Sequence, residues 1–188
     1  MSKREQVIFG GFGGQGIIMA GLIVGKAAAI NAGQNSTFTQ DYGPEARGGA
    51  CRAQIVISDG QITYPYVDDP SAVVVMSQEA YTKYTAGIRS EILVLVDEEL
   101  VKVNPKLPNK VYQIPATRIA GELGRAAVAN IVMVGFFTAI SKILSKEQAK
   151  NAVLDTIPKG TEELNTRAFE RGYEYGAALL KRETKKSK

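Results

Sequence analysis

The chain has 188 residues, 45% of them hydrophobic, which is enough for one domain with a substantial core. It contains no histidine and one cysteine, Cys51, so it can form no intramolecular disulfide and cannot supply the four thiolates of an iron–sulfur cluster. The formal net charge of +4 equals that of residues 181–188, so the rest of the chain is neutral. We therefore expect a basic, flexible tail at 181–188 and no nucleic-acid partner.

The hydrophobic segments are short. The N-terminus has only a three-residue apolar run before its first glycines, which does not make a signal peptide. The longest apolar segment, 126–140, contains Asn130 and is too short to span a bilayer comfortably. We expect a cytoplasmic protein with no membrane partner.

The first third of the chain is predicted to alternate strands and helices. The periodicity of its apolar residues predicts strands at 7–9, 36–39 and 51–58, and a helix at 15–30 that ends at Gly33. The dipeptide Asp59-Gly60 is typical of a two-residue hairpin, so we expect residues 61–64 to return antiparallel to the third strand.

The remainder adds buried strands and ends in helices. Continuous apolar runs at 72–76 and 92–96 predict strands covered on both faces, and a shorter strand is predicted at 111–114. Helices are predicted at 78–86, 118–140, 145–157 and 161–181. These elements predict a layered, Rossmann-like α/β fold with a mixed, mostly parallel sheet, one β-hairpin and a helical C-terminal third, in a single domain over residues 1–180.

A glycine-rich loop, residues 10–16, joins the first strand to the first helix. Within it Gly11, Gly13 and Gly16 fit the pattern G-x-G-x-x-G, which presents backbone N–H groups to a phosphate at a helix N-terminus. The alternative is a tight turn with close helix–strand packing and no ligand. A dinucleotide site also needs an acid after the second strand, and the available one, Asp41, belongs to the next motif.

A second glycine motif occupies residues 41–49, and its composition predicts a loop. Arg47 offers a planar fork for a phosphate or a carboxylate. Glu45 could orient Arg47 or face a partner. The alternative is a surface loop whose charges are solvated.

Two further features have structural interpretations. The acidic run 97–99 follows a buried strand, which favours a helix cap. Cys51 is expected to be a small buried strand residue rather than a reactive thiol.

The two glycine motifs together resemble the signatures of one family. Residues 11–16 are similar to the G-x-G-G-Q-G signature of the gamma subunit of 2-oxoacid:ferredoxin oxidoreductases, and residues 42–49 to its Y-G-P-E-x-R-G-G signature. Asn130 and Gly135 resemble a later family segment more loosely, and the resemblance extends to about residue 180. The residues it implies for cofactor binding or subunit contact are Gly11, Gly13, Gly14, Gln15, Gly16, Tyr42, Gly43, Pro44, Glu45, Arg47, Gly48 and Gly49.

The resemblance implies an accessory subunit that is inactive alone. The assembled enzyme would decarboxylate a 2-oxoacid on thiamine diphosphate with Mg, pass electrons through [4Fe–4S] clusters to ferredoxin, and release the acyl group on coenzyme A. The thiamine site would be built by alpha and beta subunits, and the clusters would lie in beta and in a delta subunit or domain. For this chain the resemblance implies no cofactor, metal or catalytic residue of its own.

The expected partners are the alpha and beta subunits, and a delta subunit where the assembly has one. A homodimer is an expected state of the isolated chain. A short gamma chain without a fused ferredoxin-like region favours 2-oxoglutarate as the substrate.

Both glycine loops are expected on one edge of the sheet, where they brace the catalytic subunits or shape the entry of coenzyme A. Gln15 is expected to donate to a phosphate or to bind partner backbone. The competing hypothesis is a free-standing Rossmann-like nucleotide-binding protein.

Overall fold

A single six-stranded sheet organises the computed structural model, which describes residues 3–42 and 50–186. Its strands lie in the order β2-β3-β1-β4-β5-β6. Strands β1, β4, β5 and β6 pair in parallel, whereas β3 runs antiparallel to both β1 and β2. The expected mixed, mostly parallel α/β sheet is confirmed. The strand bounds are β1 Arg4–Phe12, β2 Asn35–Tyr42, β3 Ala50–Ser58, β4 Ala72–Val75, β5 Leu93–Asp97 and β6 Val111–Ile114.

Helices cover both faces of the sheet. On one face α2 packs over β1 and β4, and on the other α1 and the C-terminal helices enclose the larger core. The helix α1 continues into a π-helical turn, Ala27–Asn31, and a 3₁₀ turn, Ala126–Val128, precedes α4. The helix bounds are α1 Ile17–Lys26, α2 Gln78–Thr85, α3 Ala116–Glu122, α4 Ala129–Ser141, α5 Lys146–Leu154 and α6 Glu162–Lys186.

The apolar runs predicted as doubly covered strands are β4 and β5. All four residues of β4 are buried, and so are four of the five in β5. Side chains of both strands pack alternately into the two hydrophobic clusters on opposite faces of the sheet. The parallel half of the sheet is thus the centre of the core, which agrees with its sequence pattern.

The hairpin predicted at Asp59-Gly60 is wrong. Both neighbouring positions of β3 are taken by β1 and β2, so residues 61–64 have no free edge of β3 to pair with. They form no strand and instead run across the sheet, where the Thr37 hydroxyl donates to the Pro65 carbonyl at 3.1 Å. The two strands that are consecutive in the chain and pair antiparallel are β2 and β3.

The single helix predicted at 118–140 is also wrong. Helix α3 ends after Glu122, Gly124 has a φ of 89°, and the 3₁₀ turn intervenes before α4 begins at Ala129. The break lets α3 follow β6 closely while α4 enters the core, where nearly all its residues are buried.

Among the described residues, helices α4 and α6 make the most extensive helix–helix contact. A Cβ atom on Gly135 would overlap the Phe169 carbonyl, and one on Gly172 would overlap the Val132 carbonyl. Glycine is therefore required on both helices for this approach.

The basic segment after residue 180, expected to be a flexible tail, continues α6 as far as Lys186. Glu183 within it accepts hydrogen bonds from Lys110 Nζ at 2.8 Å and from the Tyr112 hydroxyl at 2.7 Å. The domain boundary at 180 stays a prediction. None of the described helices is both long and apolar enough to cross a membrane.

Candidate functional site at the carboxyl edge of the parallel strands

The parallel strands place their carboxyl ends along one edge of the sheet. From β1 the chain passes through α1 toward β2, whereas from β4 it passes through α2 toward β5, on the opposite side. The boundary between β1 and β4 is therefore a topological switch point, where open α/β sheets leave a crevice that commonly binds ligands. The predicted glycine loop lies at this point.

The loop is a tight strand–turn–helix connection. The Gln15 N–H donates to the Phe12 carbonyl at 3.2 Å, and Gly14 and Gly16 have φ values of 95° and 72°, which favour glycine. Gly13 and Gly14 are exposed. The N-cap residue of α1, Gly16, has no side chain to accept from the first N–H groups of the helix.

Gln15 ties this loop to the end of β4. Its Oε1 accepts from the Phe12 N–H at 2.7 Å, and its Nε2 donates to the Met76 carbonyl at 2.7 Å. A Cβ atom on Gly11 would lie 2.5 Å from Gln15 Oε1 and 2.7 Å from Ile17 Cδ1. The amide of Gln15 thus bonds within the chain, and Gly11 provides the space it needs. Contact of Gln15 with a phosphate or a partner stays a prediction.

Asn130, in the first turn of α4, holds the other end of the loop. Its Nδ2 donates to the Gly16 carbonyl at 3.1 Å, and its Oδ1 accepts from the Ile131 N–H at 2.9 Å. The side chain of any residue larger than glycine at position 16 would overlap this amide. The sequence does not predict this hydrogen bond. The one signal in the sequence is that Asn130 is a polar residue inside the apolar segment 126–140.

Asp97 organises the neighbouring strand ends. It is fully buried at the end of β5. One carboxylate oxygen accepts from the Thr117 N–H at 2.9 Å and from the Thr117 hydroxyl at 2.6 Å, and the other from the Glu99 N–H at 3.1 Å. The predicted helix cap is found only in part. Asp97 accepts from the first turn of α3, 20 residues further along the chain, whereas residues 98–100 form a turn and no helix directly follows the acidic run.

A crevice of about 330 Å³ opens between these loops. Its lining residues come from five separate segments of the chain, and no charged side chain of the described residues lines it. Leu100 and Ala127 are exposed there. A wall of small and apolar groups suits an uncharged protein side chain better than a phosphate. The residues that matter here are Gly14, Gln15, Met76, Leu100, Thr117 and Ala127.

The described residues next to the second glycine motif lie at the same end of the sheet as the first loop. Tyr42 is the exposed last residue of β2, and Ala50, at the start of β3, pairs with Phe12 of β1. Both flanks of the motif therefore lie at the same end of the sheet as the first loop. Residues 43–49 of the motif lie outside the described part of the chain, among them the predicted site residues Gly43, Pro44, Glu45, Arg47, Gly48 and Gly49.

Cys51, on β3, is paired with Gly11 of β1 on one side and with Tyr42 of β2 on the other. It is buried, and burial raises the pKa of its thiol. This matches the expected small core residue rather than a reactive thiolate. Among residues 3–42 and 50–186, no cluster of three or more His, Cys, Asp or Glu side chains could hold a metal ion.

Asp41 does not take the place of a dinucleotide-binding acid. Because β3 lies between β1 and β2, Asp41 is two strand spacings, about 10 Å, from the strand that carries the glycine loop. Its carboxylate instead pairs with Arg52 Nη2 across the β2–β3 ladder at 3.3 Å. The strand order thus argues against a dinucleotide site of the usual design.

The fold and the loop define a Rossmann-like α/β domain built around a glycine loop at the switch point. Residues 6–175 match the model of the pyruvate ferredoxin/flavodoxin oxidoreductase family, and the chain belongs to this family. The family expected from the two glycine motifs is confirmed.

Known proteins agree with this assignment. A 2-oxoglutarate synthase subunit KorC from Methanocaldococcus jannaschii is 49% identical over 95% of this chain and 97% of its own length. The crystal structure of the keto/oxoacid ferredoxin oxidoreductase gamma subunit from Geobacter sulfurreducens has a TM-score of 0.85 and 37% identity, covering 94% of this chain and 98% of that one. A ketoisovalerate oxidoreductase subunit VorA from Methanothermobacter marburgensis is 29% identical over 96% of this chain but only 38% of its own length.

Proposed function

We propose that this chain is the gamma subunit of a 2-oxoglutarate:ferredoxin oxidoreductase in the cytoplasm. The enzyme would decarboxylate 2-oxoglutarate oxidatively, form the acyl-coenzyme A and pass electrons to ferredoxin. The observation that carries this proposal is the 49% identity, over nearly the full length of both chains, to a 2-oxoglutarate synthase subunit. In this assembly thiamine diphosphate, Mg and the [4Fe–4S] clusters belong to the alpha, beta and delta subunits.

The role of this chain in the assembly is to brace the catalytic subunits through the carboxyl edge of its sheet. The glycine loop is held rigid by Gln15 and Asn130, and the crevice beside it has uncharged walls. In the longer VorA chain, the region that matches this domain is joined covalently to the remainder. The anchored loop and the uncharged crevice favour a rigid protein-binding surface at this edge. The fusion in VorA favours a lasting association of such a domain with other parts of the enzyme.

A direct contact with coenzyme A is the second role that one observation favours. The first turn of α1 has no side-chain cap among the described residues, and its N–H groups could receive a phosphate. Arg47 would supply the cation that the described walls of the crevice lack.

A crevice-filling variant tests the bracing role. The tagged chain is co-expressed with its partner subunits, purified without oxygen, and assayed for viologen reduction that depends on 2-oxoglutarate and coenzyme A. We expect wild type to carry the catalytic subunits with it. Ala127→Trp should release them, because the new ring fills an exposed wall of the crevice. The matched control, Ala86→Trp, adds the same ring at an exposed position after α2 and should leave assembly intact.

The same preparation distinguishes the two roles. Arg47→Ala that raises the KM for coenzyme A while assembly stays intact would support ligand contact. Arg47→Ala that releases the catalytic subunits would support the brace. A wild-type chain that purifies alone, from cells whose extract contains the activity, would overturn the proposed function.

A further inference from the structure

The β2 strand is an open edge of the sheet. It is the outermost strand, and over its eight residues no other described strand pairs with its outer side. The other edge strand, β6, has four residues and lies beside the C-terminal end of α6. A long open edge presents a row of unpaired N–H and C=O groups to any other extended chain.

The hydrogen-bond pattern shows which backbone groups face outward. The Asp59 N–H donates to the Lys3 carbonyl, so odd-numbered residues of β1 bond to β3. Even-numbered residues of β1 bond to β4, as the bond from the Met76 N–H to the Gly10 carbonyl confirms. In β3 the backbone groups of odd-numbered residues therefore face β1, and those of even-numbered residues face β2. The even-numbered residues of β3 are paired with odd-numbered residues of β2, so the odd-numbered β2 residues bond to β3. The outward groups are those of Ser36, Phe38, Gln40 and Tyr42.

The β2 edge has little of the usual protection against pairing. Its sequence, NSTFTQDY, contains no lysine, proline or glycine. The one charged residue, Asp41, is already paired with Arg52 of β3. Natural proteins block such edges with charges, prolines or bulges when no partner is intended.

Exposed apolar side chains flank this edge. Ile30 is 69% exposed in the π-helical turn that packs against β2, and Tyr42 is 62% exposed at its end. Tyr64 and Tyr66, about half exposed with ring centroids 5.5 Å apart, lie on a segment anchored to Thr37. They are four of the seven large hydrophobic side chains exposed in the described chain, so the surface around β2 is unusually apolar.

We infer that β2 pairs antiparallel with β2 of a second copy of this chain, about a two-fold axis at Thr39. Such a pair uses the same surface on both copies and joins the two sheets into one. Phe38 of each copy opposes Gln40 of the other, and Asp41 opposes Thr37. The two Asp41 carboxylates thus stay apart, and no like charges meet along the strands. This pairing involves two copies of this chain alone and does not depend on the proposed function.

Mass measurement over a concentration series tests the pairing. Sedimentation equilibrium of the full chain should give twice its mass of 20.2 kDa at the upper end of the micromolar range. Gln40→Pro removes an outward N–H without touching the β2–β3 ladder, a position where an edge strand tolerates proline. It should weaken the dimer at least about tenfold. Gln40→Ala keeps the N–H and should change the dissociation constant little. Circular dichroism melting checks that both variants fold.

A cross-link tests the position of the axis without disturbing the fold. Thr39→Cys places two thiols opposite each other in the dimer and should form a disulfide-linked dimer on mild oxidation, reversed by dithiothreitol. The control Thr82→Cys, exposed on α2, should stay monomeric on the same non-reducing gel.

Two outcomes would overturn the inference. One is a wild-type chain that stays monomeric while Thr39→Cys and Thr82→Cys cross-link equally poorly. The other is a dimer that Gln40→Pro leaves unchanged. If wild type is monomeric and Gln40→Pro instead loses the catalytic subunits in co-purification, the edge binds a strand of another subunit and not a second copy. Failure of the proposed function is seen separately, as a dimer that carries no catalytic subunits.

Discussion

Two pairs of glycines allow close approach in this molecule, one in the loop at the carboxyl edge of the sheet and one where α4 crosses α6. In the loop, Gly11 and Gly16 face the ends of flexible side chains, the amides of Gln15 and Asn130. At the crossing, Gly135 of α4 faces a backbone carbonyl of α6, and Gly172 of α6 faces a backbone carbonyl of α4. A side-chain amide can rotate away from an added methyl group, whereas a helix backbone must move as a unit.

Glycine therefore has two different uses in this molecule. The glycines of the crossing set the distance between two core helices and so affect the stability of the whole fold. The glycines of the loop set a local geometry at the edge where we propose that partners dock. Substitutions should therefore cost most at the crossing and less in the loop.

The largest expected effect is that of Gly135→Ala. The added methyl group overlaps the Phe169 carbonyl, so α4 and α6 must separate, and the free energy of unfolding should fall by about 3 kcal/mol or more. Urea denaturation followed by circular dichroism measures it. The control Gly121→Ala, in α3 with open space around it, should be neutral or stabilising by up to about 1 kcal/mol. Equal effects at both positions would contradict the role of the crossing.

Gly16→Ala should have the next largest effect. The left-handed backbone costs alanine about 1–2 kcal/mol, and the overlap with Asn130 adds to this. In the Asn130→Ala background the overlap is absent, so Gly16→Ala should cost less there, as a double-mutant cycle of unfolding free energies would show. Gly14→Ala, left-handed but in open space, should show the backbone cost alone. Strict additivity of the Gly16 and Asn130 changes would show that the two residues do not interact.

Gln15→Ala tests how far the loop depends on one side chain. It removes the two hydrogen bonds that link Phe12, Gln15 and Met76, and we expect a loss of about 1–2 kcal/mol in thermal or chemical unfolding. Gln34→Ala removes one exposed bond to Asp59 and should cost less than about 0.5 kcal/mol. If the two variants unfold alike, the link from the loop to β4 contributes nothing to stability.

The smallest effect concerns an ion cluster beside the crossing, and it depends on pH. Lys146 and then Lys150, both of α5, hold the pKa of Glu170 on α6 below its ordinary value. A depressed folded-state pKa contributes stability at neutral pH, and this contribution is lost as pH falls through the folded-state pKa. Glu170→Gln should cost up to about 1 kcal/mol at neutral pH, and its difference from wild type should vanish in acid.

Glu174→Gln, which removes an exposed carboxylate from the same helix, is the matched control and should change the free energy of unfolding less than Glu170→Gln at neutral pH. Unfolding free energies measured across the acid range compare the three proteins. A cost of Glu170→Gln that grows as the pH falls would contradict the assigned sign.

Elements with a strong local pattern were predicted well, and those that depend on distant partners were not. The buried strands β4 and β5 appear in the sequence as continuous apolar runs, and the glycine loop lies between β1 and α1 as expected. The sequence Asp59-Gly60 fits the local rule for a hairpin turn, but β1 and β2 occupy both sides of β3 and leave no place for a third strand. The long helix 118–140 was predicted as one because its apolar pattern runs on past Gly124.

By itself the sequence determined the α/β class, the position of the glycine loop and, through its two glycine motifs, the family. These follow from local backbone preferences, from the burial periodicity of single elements and from the two motifs. Only the tertiary structure decided that β3 separates Asp41 from the loop, that Gln15 and Asn130 bond to it from within, and that β2 is left as an open edge. Those outcomes depend on which segments far apart in the chain pack together, and no local pattern specifies that choice.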